Sequence, residues 1–352
     1  MGSILLLMIK ALAVCALAAV MAALSPALAA PAYPPGFYAA QEKDKSKDQK
    51  PEISEGEQKA LAKINAAPDM AAKVAAITEY ANKYPKSAQR AKVISYALGE
   101  INKIPDPAQQ VVMLEKLVTL FKEPTDADVI NPFLMDVYIK AGKVDDAFRV
   151  ASASISRNPN DIAAMTQMTL AGIEQAKRQN PKYAQQSLQY GSKAIELIEA
   201  GKKPDHMDEA AWGEYQTRWL PQLYQSLGML SMMMNNKEEA KTRLEKAASL
   251  NAADPFNFVL LGSLIEEDYR KFAEQHKAQA PGPLKDKLLN QAHGKLDQVI
   301  DLYAHAVALS QGKPEYQKLH DQIMEALDTY YKYRHSGSNN GLQQLIDKYK
   351  KQ

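Results

Sequence analysis

Cysteine is almost missing from this chain of 352 residues. The single cysteine, Cys15, lies in an apolar run near the N-terminus, so the remainder of the chain has none. That remainder therefore forms no disulfide, no thiolate metal site and no cysteine nucleophile. A chain of this length can fold without such crosslinks, because it is long enough to bury a sizeable hydrophobic core.

The chain also has few tryptophans and almost no net charge. The chain has 2 tryptophans, and its 43 basic residues nearly balance its 41 acidic ones. This balance argues against nucleic acid as a partner, because phosphate binding needs a concentrated basic face. Alanine, leucine, lysine, glutamine and glutamate dominate, and no stretch alternates as a strand does. The composition therefore predicts helices.

The sequence also lacks the motifs that carry common chemistry. It has no G-x-S-x-G elbow, no glycine-rich phosphate loop and no H-E-x-x-H pair. His293 and Asp297 stand one helical turn apart and could face the same way, but two ligands do not complete a metal site. We therefore expect a protein that is not an enzyme, with no catalytic residue, no metal and no cofactor.

The N-terminus differs from the rest of the chain. Residues 4–24 are apolar except for Lys10, and Ser25-Pro26 and Ala27-Leu28-Ala29 follow. This order is typical of a secretory signal peptide over residues 1–30, and it predicts export to the periplasm or cell envelope. Alternatively, the segment stays as a membrane anchor, which is the only membrane contact we expect. Residues 31–54, rich in proline and charge, are predicted to be a disordered tether.

From Glu55 onward, amphipathic stretches alternate with short breaks, and the stretches repeat. Residues 221–254 give the clearest unit, with large and small residues at fixed positions. These are Tyr224, Leu227 and Gly228 at the fourth, seventh and eighth positions, and Ala240, Leu244 and Ala247 at the twentieth, twenty-fourth and twenty-seventh. Residues 128–161 follow the same register, with Gly142 at the turn between two helices. Residues 255–310 begin a further repeat, in which an insertion, 266–291, displaces the second helix to Val299, Tyr303 and Ala306.

This pattern resembles the tetratricopeptide repeat, a helical hairpin of about 34 residues. Ser231 and Ala252 depart from it, standing where the family has tyrosine and proline. The resemblance implies an all-α fold over residues 55–352, a right-handed superhelical array of antiparallel helix hairpins. A capping helix, Leu342–Lys350, is expected at its end, although a detachable partner-binding helix would show the same apolar stripe.

The resemblance also implies a function, that of a non-catalytic scaffold or adaptor in an exported bacterial protein. In this family the first helix of each hairpin lines a concave groove that receives a peptide or a helix. By register, the residues that would face the groove are Gln222, Gln225, Met229, Met232 and Met233. Met229 could equally fill the core. Tyr330, Tyr331 and Tyr333 are a second candidate interface, or they seal the last hairpin.

Two other functions remain open from the sequence. The chain could bind a glycan or small ligand through Trp212, Trp219 and the insertion 266–291, since aromatic platforms hold sugars. It could also assemble with copies of itself, and its oligomeric state is left open.

Overall fold

The computed structural model describes residues 53–205 and 207–350. The predicted signal peptide, 1–30, lies outside these residues, as does the predicted tether, 31–54, apart from its last two residues. Within the described residues the chain is all-α, with 14 α-helices and no strand, so the all-α part of the predicted fold is confirmed. No helix in this part of the chain is both long and apolar enough to cross a membrane.

The helices follow one another with short connections. In chain order they are α1 Glu55–Ala66, α2 Met70–Lys83, α3 Arg90–Ile101, α4 Pro107–Leu120, α5 Pro124–Lys140, α6 Val144–Arg157, α7 Ile162–Lys177, α8 Ala184–Glu199, α9 Glu209–Met233, α10 Lys237–Leu250, α11 Pro255–Ala278, α12 Pro283–Ser310, α13 Gln317–Arg334 and α14 Leu342–Lys350. Two single 3₁₀ turns, Pro181–Tyr183 and Pro314–Tyr316, precede α8 and α13. The last helix has its predicted bounds.

The described residues fall into two compact units. The N-terminal unit comprises residues 53–171 and 196–212, and the C-terminal unit comprises residues 172–195 and 213–350. In the N-terminal unit α1 packs on α2, α3 on α4, α4 on α5 and α5 on α6. In the C-terminal unit α10 packs on α11, α11 on α12, and α12 on both α13 and α14. Packing between successive helices is what a helical repeat requires.

Short polar side chains fix where several helices begin. Ser54 accepts a hydrogen bond from the backbone N–H of Glu57 at 3.2 Å, and Asp69 accepts one from Ala72 at 2.8 Å. Asp106 and Asp254 cap α4 and α11 in the same way, and a proline follows each of them. An N-cap oxygen satisfies a backbone donor that the helix leaves free, and proline suits the first turn because it needs no donor there.

Three glycines of the C-terminal unit allow two helices to approach closely. A Cβ atom on Gly172, Gly228 or Gly262 would lie 1.8 Å, 2.7 Å or 2.4 Å from Ser187, Leu244 or Tyr303, respectively. Gly228 and Gly262 hold the eighth position of their repeats, where the sequence pattern requires a small residue. Gly172 makes the same kind of contact, although the sequence analysis placed it in no repeat.

The insertion 266–291 lengthens one hairpin instead of forming a separate element. Asp268 on α11 pairs with Lys295 on α12 at 3.0 Å, whereas Phe258, earlier on α11, stacks on His305, later on α12. The two helices are therefore antiparallel, and the insertion forms the end of α11 and the start of α12. Val299, Tyr303 and Ala306 lie on the buried face of α12.

A buried carboxylate joins the last three long helices. Glu266 on α11 is 2% exposed and accepts hydrogen bonds from Tyr303 of α12 at 2.8 Å and Tyr330 of α13 at 2.5 Å. Arg270, one turn along α11, pairs with the same carboxylate at 2.5 Å. Burial, together with the charge of Glu266, raises the pKa of both phenols, so both stay protonated as donors.

An aromatic stack holds α14 in place. The ring of Tyr349 lies nearly parallel to that of His305 with 4.3 Å between centroids, and the ring of Phe258 is tilted against His305 with 3.7 Å between centroids. Leu342 and Ile346 complete the buried stripe of α14. Burial lowers the pKa of His305, and Lys348 acts in the same direction while Asp301 opposes both. These contacts pack α14 against α12.

Gly262→Ala should destabilise the C-terminal unit, because the added methyl group overlaps the buried ring of Tyr303. Overpacking of this kind costs roughly 1–3 kcal/mol in the free energy of unfolding. The control is Gly294→Ala on exposed α12 surface, where a Cβ would meet nothing within 4 Å. Alanine there should stabilise by up to about 1 kcal/mol through helix propensity. Urea unfolding of both variants tests the packing, and equal effects would contradict it.

Tyr330→Phe should lower the free energy of unfolding by about 1.5–3 kcal/mol, because it removes a buried donor to a charged group. Tyr333→Phe is the matched control, since Tyr333 is 43% exposed and its hydroxyl has no hydrogen-bond partner among the described residues. We expect that control to stay within about 0.5 kcal/mol of the unaltered chain. If both variants unfold alike in urea, the Glu266 network is not what holds α13.

Docking of α14 should weaken below a pH of about 6.5, the ordinary pKa of histidine. The folded state holds the pKa of His305 below this value, so as the pH falls the undocked state takes up the proton first. Hydrogen-exchange protection factors of the α14 amides should therefore drop between pH 7.5 and pH 5. In His305→Phe, which keeps the stack without a titrating group, the drop should be smaller. If the protection factors fall equally in His305→Phe, the pH dependence comes from other groups. One such group is His293, since burial also lowers its pKa.

Candidate binding cleft

The structure gives the predicted groove residues different surroundings. Gln225 and Met229 are buried at 6% and 2% exposure, and the amide of Gln225 donates to Asp254 and Asn257 at 2.8 Å and 2.9 Å. Gln222 and Met232 are half-buried, and only Met233 is exposed. Gln225 therefore joins α9 to the start of the next hairpin, and Met229 is part of the core.

The three tyrosines of the second candidate interface also differ in burial. Tyr330 is part of the Glu266 network, and Tyr331 is 8% exposed and donates to the backbone carbonyl of Asn340 at 2.9 Å. Tyr333 alone presents much of its ring at the surface. Trp212 and Trp219, the suggested glycan platform, are both buried, at 5% and 6% exposure.

A cleft of about 440 Å³ lies in the N-terminal unit. Its walls come from α5, from the end of α6, from the first turn of α7 and from residues 202–205. This volume is within the range of sites that hold small molecules or a few residues of a peptide. None of the residues chosen from the sequence lies here, although the repeat 128–161 begins and ends at cleft residues, Asp128 and Asp161.

The end of α8 directs residues 202–205 into the cleft wall. Gly201 has a φ of 67°, and the N–H groups of Gly201 and Lys202 bond to the carbonyls of Ile198 and Leu197 at 3.0 Å and 2.9 Å. This is the usual way for a helix to end on a left-handed glycine. Pro204 then prevents the chain from resuming a helix at once. Residues 202–205 are thereby held beside residues of the range 128–164, far earlier in the chain.

In the α5 wall, the backbone carbonyl of Asp128 lacks the hydrogen bond that the residue four positions later usually donates in a helix. Pro132 lies inside α5 and has no N–H, so it cannot donate the helical hydrogen bond to the carbonyl of Asp128. The carboxylate of Asp128 is exposed and accepts a hydrogen bond from Arg157 at 3.3 Å, and this contact is also an ion pair. Asp128 therefore brings to the cleft lining a carboxylate that is bonded to Arg157 and a carbonyl that lacks its usual helical donor.

The α7 wall is built around Asp161. Its carboxylate caps α7 by accepting from the backbone N–H of Ala164 at 3.0 Å, and it accepts from the hydroxyl of Ser154 at 3.3 Å. The cap fixes the first turn of α7, and Ala163 in that turn faces the cleft with a small side chain. This is the point at which a larger side chain would fill the space.

Among the other charged residues of the lining, only Lys203 has hydrogen-bond or ion-pair partners within the described residues. Lys203 donates to the carbonyl of Met207 at 2.7 Å and lies 3.4 Å from Glu209. Neither Lys202 nor Asp205 makes a side-chain hydrogen bond or ion pair with any described residue. A lysine and a carboxylate at one cleft, both held in place by backbone and both unpaired, are suited to contact a ligand.

The described residues contain no cluster of side chains that could hold a metal ion. Within 53–205 and 207–350, no group of three or more histidine, cysteine, aspartate or glutamate side chains could hold a metal ion. His293 and Asp297, the pair considered in the sequence analysis, make other contacts. Asp297 accepts two hydrogen bonds from Arg334, at 2.7 Å and 2.9 Å, and His293 packs edge-on against Tyr333.

No protein-family model matches this chain, and a search of curated proteins gives no match either. The function therefore has to be argued from the residues of the cleft and from the architecture around it.

Proposed function

We propose that the chain is a non-catalytic scaffold of the tetratricopeptide type, which holds a segment of another protein in the cleft of its N-terminal unit. The observation that carries this proposal is the cleft itself, with Lys202 and Asp205 at its edge, whose side chains have no partner among the described residues. Helical hairpins that stack in succession, and glycines at the positions where the repeat pattern needs them, support the family assignment and its superhelical array. The apolar segment 4–24 supports export to the periplasm or envelope.

The cleft is better suited to a protein segment than to a reaction. Its three carboxylates are either exposed, like Asp128 and Asp205, or engaged in capping a helix, like Asp161. General acid–base catalysis needs an acid and a base held at a reacting group, whereas Asp161 is committed to the helix cap and Asp128 is bonded to Arg157. An open cleft whose lining includes exposed donors and acceptors can bond the backbone of an extended peptide.

A photocrosslinking amino acid in place of Asn160, at the rim of the cleft, tests the proposal in cells. We expect it to capture a specific protein, and we expect Ala163→Trp to abolish the capture by filling the cleft. The same crosslinker at Gln109, an exposed position of α4 outside the cleft, is the control. Placed at Met233 instead, it tests the groove predicted from the sequence.

Each outcome has a definite meaning. Capture from Asn160 that Ala163→Trp removes supports the cleft, and capture from Met233 alone would move the site to the C-terminal unit. Identical products from Asn160 and Gln109, or none from Asn160, would overturn the proposed function. Circular dichroism of Ala163→Trp, compared with Ala153→Trp on the exposed surface of α6, separates a filled cleft from a damaged fold.

A further inference from the structure

The cleft offers more hydrogen-bond acceptors than donors. Three aspartates line it, and the carbonyl of Asp128 adds an oxygen that lacks its helical donor because of Pro132. Against these stand two lysines of the lining and Arg157 beside it. Lys203 is already bonded to Met207 and close to Glu209, and Arg157 is bonded to one oxygen of Asp128. Lys202 is thus the one cation of the lining that has no partner among the described residues.

The residues around the cleft add to this imbalance. The segment 196–212, which belongs to the N-terminal unit, carries five acidic residues and only two basic ones. The acidic residues are Glu196, Glu199, Asp205, Asp208 and Glu209. A ligand that enters here meets a field that favours a cation, and this attraction weakens as salt is added.

The floor of the cleft suits a long, partly apolar side chain. Pro132, Met135 and Ile162 line it between the polar walls. Lysine and arginine side chains lay their methylene groups along apolar surface while their charged ends reach polar groups. Such a side chain could lie over Pro132 with its charged end at the oxygens of Asp128 and Asp205. Lys202 would then meet a carbonyl of the ligand's backbone.

We propose that the cleft takes an extended peptide segment through one lysine or arginine side chain, whose charged end meets Asp128 and Asp205. This inference rests on the proposed function and specifies its ligand. One basic side chain in a peptide fits better than a polycation, because Lys202 repels a second positive charge at the same cleft.

Three fluorescent peptides test the inference on the full-length chain: Gly-Ala-Lys-Ala-Gly, and the same peptide with Gln or Glu in place of Lys. We expect the Lys peptide to bind at least about tenfold more tightly than the Gln peptide, as expected for about 1.4 kcal/mol from a cation near two carboxylates. We expect the Glu peptide to bind most weakly. Fluorescence anisotropy, with peptide titrated to millimolar concentration, measures all three, and added salt should reduce the preference.

Asp205→Asn should reduce the preference for lysine, and Ala163→Trp should abolish binding. Asp286→Asn, which removes an exposed carboxylate of α12, should change neither. Equal binding of the three peptides, no binding of any, or a preference for Glu would overturn the inference. Capture of a specific protein by the crosslinker at Asn160, together with no lysine preference, would leave the proposed function standing and remove this ligand class.

Discussion

The C-terminal unit depends on one buried carboxylate. Glu266 can lie in the core only because Arg270 and the phenols of Tyr303 and Tyr330 surround it, since an unpaired buried charge costs several kcal/mol. The same contacts place three helices at once, because the partners come from α11, α12 and α13. Tyr303 also lies against Gly262, so the close approach of α11 and α12 and the polar network are one constraint. The position of α12 in turn presents His305 and Asp301 to Tyr349, which docks α14.

A smaller network of the same kind orders the N-terminal unit. Arg90 of α3 pairs with Asp126 at the start of α5, both largely buried, and the guanidinium lies over the ring of Phe121 at 4.8 Å. Asp126 also accepts from the N–H of Glu123, which ties the pair to the beginning of α5. The start of α5 is therefore fixed from two sides. Asp128 and Pro132 lie within the next two turns, so this pair also sets the wall of the cleft.

Local features of the fold could be predicted from the sequence, because they depend on residues close together in the chain. The helix Leu342–Lys350 is set by a stripe at helical spacing and by the glycines before it. Gly228 and Gly262 could be found because each hairpin buries its own small residues. The burial of Gln225 could not, since it depends on Asp254 and Asn257 at the start of the next hairpin. The cleft was missed for the same reason: residues 202–205 join α5 and α7 only through the tertiary fold.

The polar groups of the two units differ in whether they are already hydrogen-bonded within the chain. In the C-terminal unit, Glu266 and Gln225 are buried and bonded to partners within the chain, so they stabilise the fold and offer nothing to a ligand. At the cleft of the N-terminal unit, Lys202 and Asp205 are exposed, and the described residues give them no partner. The left-handed turn at Gly201 and the following Pro204 restrict the backbone that carries them. Binding therefore has to order these side chains but not the segment that carries them, which is the physical reason to look for the ligand there and not along α9.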